Sequence, residues 1–222
     1  MHTDDDVTND PAKVLVELWT DLGCPWCYLG KHRLEAAIAR RPDAARFELR
    51  PRSFELDPQA ETQPEPVREH LARKYGAADA QVEEMEARVA GLAAADGLPF
   101  SDARSIANTF DVHRVLQLAN ERSLGAALLG AVQDGYFAGT LDPFDPAELV
   151  TAAVSAGLDA DEIEAVLGSD AHAEAVRADE AEARALGVTG VPFVVYDRRI
   201  ATAGAQSVEG FGQALAQAVP LP

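Results

Sequence analysis

The chain is predicted to be an α/β protein whose strands are interrupted by an all-helical segment, and three observations predict it. Val14 to Trp19 is a short, apolar, β-branched run followed at once by a turn and a helical pattern. A second apolar run, from Pro192 to Tyr196, lies near the other end of the chain and is followed by a break and a further short strand pattern. Between Asp57 and Ser169 the sequence is alanine-rich, with helical periodicity and clear punctuation, and is too long to be a loop in a compact domain.

The 222 residues, 47% of them hydrophobic, are enough to bury a core without covalent staples. With 37 acidic and 19 basic residues the formal net charge is -18, which repels phosphate backbones and anionic lipid surfaces. Nucleic acid and membrane partners are therefore not expected, and no run approaches the roughly 18 consecutive apolar residues of a spanning helix. Met1 to Pro11 has neither a basic start nor an apolar stretch. Residues 1–11 are expected to be a disordered acidic tail, and the protein to be cytoplasmic. In that compartment structural disulfides are rare, so the only two cysteines, Cys24 and Cys27, call for another explanation.

Asp21-Leu22-Gly23 turns the chain after the first strand, and Cys24-Pro25-Trp26-Cys27 opens a helix in which Leu34, Ala37 and Ile38 recur at helical spacing. Pro25 suits a first helical turn, where its missing N–H has no partner to lose. Side chains three apart on a helix are neighbours, so Cys24 and Cys27 can bond after a small adjustment. Unpaired N–H groups and the partial positive charge of a helix start favour the thiolate. Cys24 is thus the expected nucleophile, and Cys27, one turn deeper, the residue that resolves a mixed disulfide. A structural zinc site normally needs four ligands; the five histidines are scattered singly and no further cysteine exists, so no metal is expected.

Glu17 lies in the middle of the first strand, and two readings stay open. A desolvated carboxylate with a raised pKa would suit a proton acceptor for the inner cysteine; alternatively, Glu17 points to a solvated edge. His32 is too far along the helix to partner Cys24 and is expected to pack or lie on the surface.

Helices are expected from Pro66 to Tyr75, from Ala78 to Ala95 with Val82, Met85, Val89 and Leu92 on one face, and from a Ser101 or Asp102 cap to about Glu121. Further helices are expected over Leu124 to Phe137, over Ala147 to Ala156 behind Asp145-Pro146, from an Asp159 cap to Leu167, and over Asp170 to Leu186. After the strand at Pro192, Asp197-Arg198-Arg199 breaks the chain, Ile200 to Ala203 returns antiparallel, and Ser207 caps a closing helix over Val208, Phe211 and Leu215. The resulting expectation is a thioredoxin-like fold with an inserted all-helical subdomain: residues 12–56 and 170–219 form the thioredoxin-like part and 57–169 the insertion.

Four segments make the chain resemble the DsbA-like thioredoxin superfamily, and most closely its FrnE-like subgroup. They are Asp21 to Lys31, Arg50 to Pro58, Asn108 to Arg114, and Gly190-Val191-Pro192-Phe193 with Gly204-Ala205-Gln206. The resemblance implies a cis bond between Val191 and Pro192, facing the nucleophile, with Val191 free to meet a substrate strand. It also implies that Pro25 and Trp26 touch substrate, and that the insertion forms one wall of the cleft. His113 either faces the site or packs where the two parts meet.

Three functions follow. The first is a thiol-disulfide oxidoreductase or isomerase acting on protein or peptide disulfides, with no resident cofactor and glutathione as a candidate redox partner. The second is a glutathione-dependent enzyme acting on a small molecule, like the hydroxychromene-carboxylate isomerases and kappa-class transferases that the superfamily contains. Those enzymes typically carry serine in place of the first cysteine, and this chain keeps both. The third is a non-enzymatic binding protein, for which Trp26 in a cleft is the only support.

Overall fold

The computed structural model describes residues 13–219, so the tail expected over residues 1–11 lies outside them. In chain order the elements are β1 (Val14–Thr20), α1 (Pro25–Ala39), β2 (Phe47–Ser53), β3 (Glu65–Pro66), α2 (Val67–Tyr75), α3 (Asp79–Ala95), β4 (Ser105–Ile106) and α4 (Phe110–Glu121). There follow α5 (Gly125–Ala138), α6 (Pro146–Ser155), α7 (Ala160–Leu167), α8 (Ala173–Ala185), β5 (Phe193–Tyr196), β6 (Ile200–Ala203) and α9 (Val208–Ala218). The main sheet has the order β2-β1-β5-β6, with β1 parallel to β2 and the other neighbours antiparallel. This is a thioredoxin-like fold with helices inserted between β2 and β5.

Alternation along β1 decides what each face of the sheet meets. Val16 and Leu18 enter a core with Leu34 of α1 and Phe211 and Leu215 of α9. Trp19 faces the other way, into a smaller cluster with Ala183 of α8 and Val195 of β5. The larger core does not stop at the sheet: Val115 of α4, Leu128 of α5, Leu149 of α6 and Ile163 of α7 belong to the same continuous cluster. The inserted helices are therefore packed against the sheet over a shared apolar interior.

Three helix starts follow from the caps read in the sequence. Asp145 accepts from the N–H groups of Ala147 and Glu148, Asp159 from those of Asp161 and Glu162, and Ser207 from that of Gly210. The helix expected from Ser101 or Asp102 is a correction. Ser105–Ile106 instead pairs antiparallel with Glu65–Pro66, and α4 begins at Phe110, whose N–H is held by the Asn108 side chain at 2.9 Å. The Ser101 hydroxyl serves a turn, accepting from the Ala103 N–H.

Asp179 of α8 ties three elements together from a buried position. Its carboxylate accepts from the Ser53 N–H at 2.8 Å and from Gln117 Nε2 of α4 at 2.6 Å, and pairs with Arg52 of β2 at 3.0 Å. Burial pushes its carboxyl above the ordinary value, and these donors oppose that rise. Asp179→Ala would take one acceptor each from the Ser53 N–H, the buried Gln117 amide and Arg52, which keeps Glu17 and Glu182. The expected loss is about 3 kcal/mol of stability, at about 1 kcal/mol for each interaction removed, seen as a lower urea midpoint with an unchanged slope.

Candidate active site

Cys24 is the residue before the first turn of α1, with extended backbone (φ -82°, ψ 113°) and Pro25 in that first turn. Its carbonyl accepts from the N–H groups of Cys27 at 3.0 Å and Tyr28 at 3.2 Å, which locks both cysteines onto one helix start. Both are free thiols. Cys24 is 4% exposed and Cys27 wholly buried. Burial pushes the Cys27 thiol well above its ordinary pKa, and the neighbouring Cys24 sulfur adds to the rise; the Asp21 backbone and the Thr20 hydroxyl oppose it. The inner thiol thus holds its proton until a mixed disulfide forms beside it.

The Val191–Pro192 peptide bond is cis, and the Cys24 thiol points to the Val191 carbonyl oxygen, 3.8 Å from its sulfur. Gly30, two turns into α1, makes this approach available. A Cβ there would lie 2.8 Å from the Pro192 ring. The helix can lie against Pro192 only because the side chain is missing.

The predicted site residues divide. Cys24, Cys27, Pro25, Trp26, Val191 and Pro192 gather at one end of the sheet, with Trp26 half-buried against Leu29, Val89 and Ala93 and beneath Arg88. Glu17 is a correction to both of its readings. It is buried, not solvated, yet alternation places it on the Trp19 face, away from the cysteines. There its carboxylate is held by Arg198 at 2.5 and 2.6 Å and approached by Arg52 at 3.5 Å. His32 binds Asp134 at 2.7 Å and stacks edge-on against Tyr28, so it belongs to packing.

Two residues absent from the predicted site sit beside it. Asp21 and His113 are both buried, with Oδ1 and Nε2 3.4 Å apart, and the other Asp21 oxygen accepts from the Leu56 N–H at 2.7 Å. Burial by itself would raise the Asp21 carboxyl, but His113, the Leu56 N–H and Thr109 together outweigh it and hold it below its ordinary value. In the sequence Asp21 reads only as a turn residue, and nothing local signals a partner 92 positions away (113 minus 21).

Cys24 and Trp26 open on a cavity of about 320 Å³ between α1, α2, α3 and the short strand β4. Among the described residues no cluster of three or more His, Cys, Asp or Glu side chains is placed to hold a metal ion, and no helix is long and apolar enough to cross a membrane.

Fold and dithiol together define a protein of the thioredoxin class with a helical insertion over its reactive end. More narrowly, the chain belongs to the DSBA-like thioredoxin domain family, which it matches over residues 15–216. It is similar to a probable DsbA oxidoreductase from Streptomyces coelicolor, at 46% identity over 94% of this chain and 93% of the other, with a TM-score of 0.86. The fold also recurs in the cytosolic disulfide reductase DsbM of Pseudomonas aeruginosa, at 20% identity, 92% and 94% coverage and a TM-score of 0.57. A 2-hydroxychromene-2-carboxylate isomerase shares it at 19% identity, 91% and 95% coverage and a TM-score of 0.63. No curated protein matches the chain.

Two outcomes test this geometry. Gly30→Ala is expected to force the Pro192 ring away from α1 and to slow the reaction of Cys24 with small disulfides while leaving the helical circular dichroism unchanged. Because the native Asp21 pKa lies below its unfolded value, the stabilisation from its ionised form is full above the ordinary carboxylate range and is lost as pH falls through the native pKa. The stability gap between wild type and Asp21→Asn, measured by denaturant titration, is expected to be widest near neutrality and to narrow below about pH 4.

Proposed function

We propose that the chain is a cytoplasmic dithiol-disulfide oxidoreductase of the FrnE type, able to act as an isomerase, with Cys24 as nucleophile and Cys27 as resolving residue. The observation that carries this reading is the asymmetry of the pair: one cysteine lines a cavity, and the other, a turn further along the helix, is wholly buried. The Cys24 thiolate attacks a substrate disulfide and releases one thiol. Cys27 then gives up its proton, attacks the Cys24 sulfur and frees the second thiol. Pro25, Trp26, Val191 and Pro192 form the surface that the substrate touches. The disulfide is carried by a protein, a peptide or a smaller molecule, and glutathione serves as redox partner; the P. aeruginosa relative has been solved with GSH.

The competing function is a glutathione-dependent isomerase or transferase of the kind the hydroxychromene-carboxylate isomerase represents. Thiolate binding without electron transfer needs only the outer group, and a buried resolving thiol at Cys27 has no part in it. The two are separated by titrating the wild type and Cys27→Ser in glutathione buffers, trapping free thiols and weighing the products. A single two-electron transition to the Cys24–Cys27 disulfide is expected, with a potential near or above about -200 mV marking an oxidant or isomerase and one near about -270 mV a reductase. A wild type that gives only a stable glutathione adduct on Cys24 would sink the oxidoreductase reading.

A further inference from the structure

The cavity at Cys24 has a definite chemical character. Its walls are apolar: Trp26, Val67 and Leu71 of α2, Val89 of α3, and Ile106 of β4. Its rim carries Leu56, Tyr75 and Met85, exposed by 42%, 60% and 40%, three of the five large hydrophobic side chains that the described residues leave in water. Concentrated at one opening, they mark a binding surface rather than the scatter normal on a protein.

The cations of the lining are not equivalent. Lys74 is paired with Asp57 at 3.2 Å, His70 with Glu65 at 2.9 Å, and Arg104 with Glu86. Arg88 has no acidic partner among the described residues, and its guanidinium stands 5.7 Å from the centre of the Trp26 ring, at the mouth. In a chain of net charge -18 a cation left without an acid on the cavity that the nucleophile lines is a local attractor for an anion. Size narrows the occupant further. A volume of about 320 Å³ falls in the range of pockets for small ligands, and Cys24, 4% exposed in its lining, is poorly placed for a disulfide held on the surface of a folded protein.

Resting on the dithiol reading above, we propose that the cavity selects a low-molecular-weight disulfide with an apolar, ring-sized body and a carboxylate. The body lies between Trp26 and the α2 and α3 walls, and the carboxylate pairs with Arg88. The Cys24 thiolate attacks the nearer sulfur of R–S–S–R′, forming Cys24–S–S–R and expelling R′S⁻, which takes a proton from water. Cys27 attacks the Cys24 sulfur, and its proton passes to the departing RS⁻, which leaves as the second thiol. The protein dithiol is oxidised by two electrons and the substrate is reduced to two thiols.

The test is single-turnover stopped flow on the reduced full chain, wild type and Arg88→Gln, with three probes: the dianionic aromatic disulfide dithiobis(nitrobenzoate), the uncharged aromatic disulfide dithiodipyridine, and insulin. Each rate is divided by that of free glutathione with the same probe. Wild type is expected to favour dithiobis(nitrobenzoate) over both others, and Arg88→Gln to lower that preference over dithiodipyridine about tenfold, the effect of losing one charged hydrogen bond. Arg88 is exposed on α3, so the variant retains its fold. An unchanged preference in Arg88→Gln, or a normalised rate with insulin above that with dithiobis(nitrobenzoate), overturns the assignment. Mass analysis of the wild-type products separates this from failure of the parent reading: without a Cys24–Cys27 disulfide it is the dithiol mechanism that falls.

Discussion

The contact between Gly30 and the Pro192 ring determines where everything else at the reactive end can be. Two segments 162 residues apart in the chain (192 minus 30) meet there with no side chain between them. With α1 held this closely, Cys24 just ahead of it comes under the Val191 carbonyl, and its first turn carries Cys27 into the interior. The raised pKa of Cys27 is a consequence of that closure, since desolvation is its largest cause. The difference in role between two chemically identical side chains is therefore produced by packing.

Buried charge is arranged with the same economy. Glu17 on β1, Arg52 on β2, Asp179 and Glu182 on α8 and Arg198 in the β5–β6 turn make one network across the face of the sheet opposite α1. Because these groups answer one another, the Glu17 carboxylate is paired within a strand interior on the face away from the cysteines. A second set, Asp21 and His113, stands on the cysteine side and couples the turn before Cys24 to α4. The two sets lie on different sides of β1, and the groups that oppose the rise at Cys27 are the Thr20 hydroxyl and the Asp21 backbone, neither of them part of the ion-pair network.

What could be read from the sequence was what is local. Strand β1, the helix at Cys24, the three side-chain caps at Asp145, Asp159 and Ser207, and the β5–β6 hairpin each rest on residues within a few positions of one another. What escaped depended on distant partners. The two-residue strand Ser105–Ile106 exists because Glu65–Pro66 lies opposite it, and no periodicity can develop over two residues. Glu17 was misplaced because a carboxylate in an apolar strand looks the same whether an arginine awaits it or not. Met85, on the expected apolar face of its helix, stays in water because that end of the face borders the cavity instead of a core. The site was legible as a dithiol with a facing proline; its cavity was not, since its walls come from five separate stretches of chain.

The insertion does more than cover the site. α4 to α7 extend the core of the sheet and hold the fold, whereas α2 and α3 contribute few fully buried side chains, Val67, His70, Val82, Val89 and Ala93 among them. Helices with so little burial are the part of a structure whose local stability is lowest, and they form the wall over Cys24. The rigid section of the insertion fixes the dithiol, and the lightly anchored section sets what may reach it. Exchange chemistry common to many proteins of this fold can thus be kept unchanged at the sheet, while the range of disulfides admitted is altered by residues on two surface helices whose substitution costs the core almost nothing.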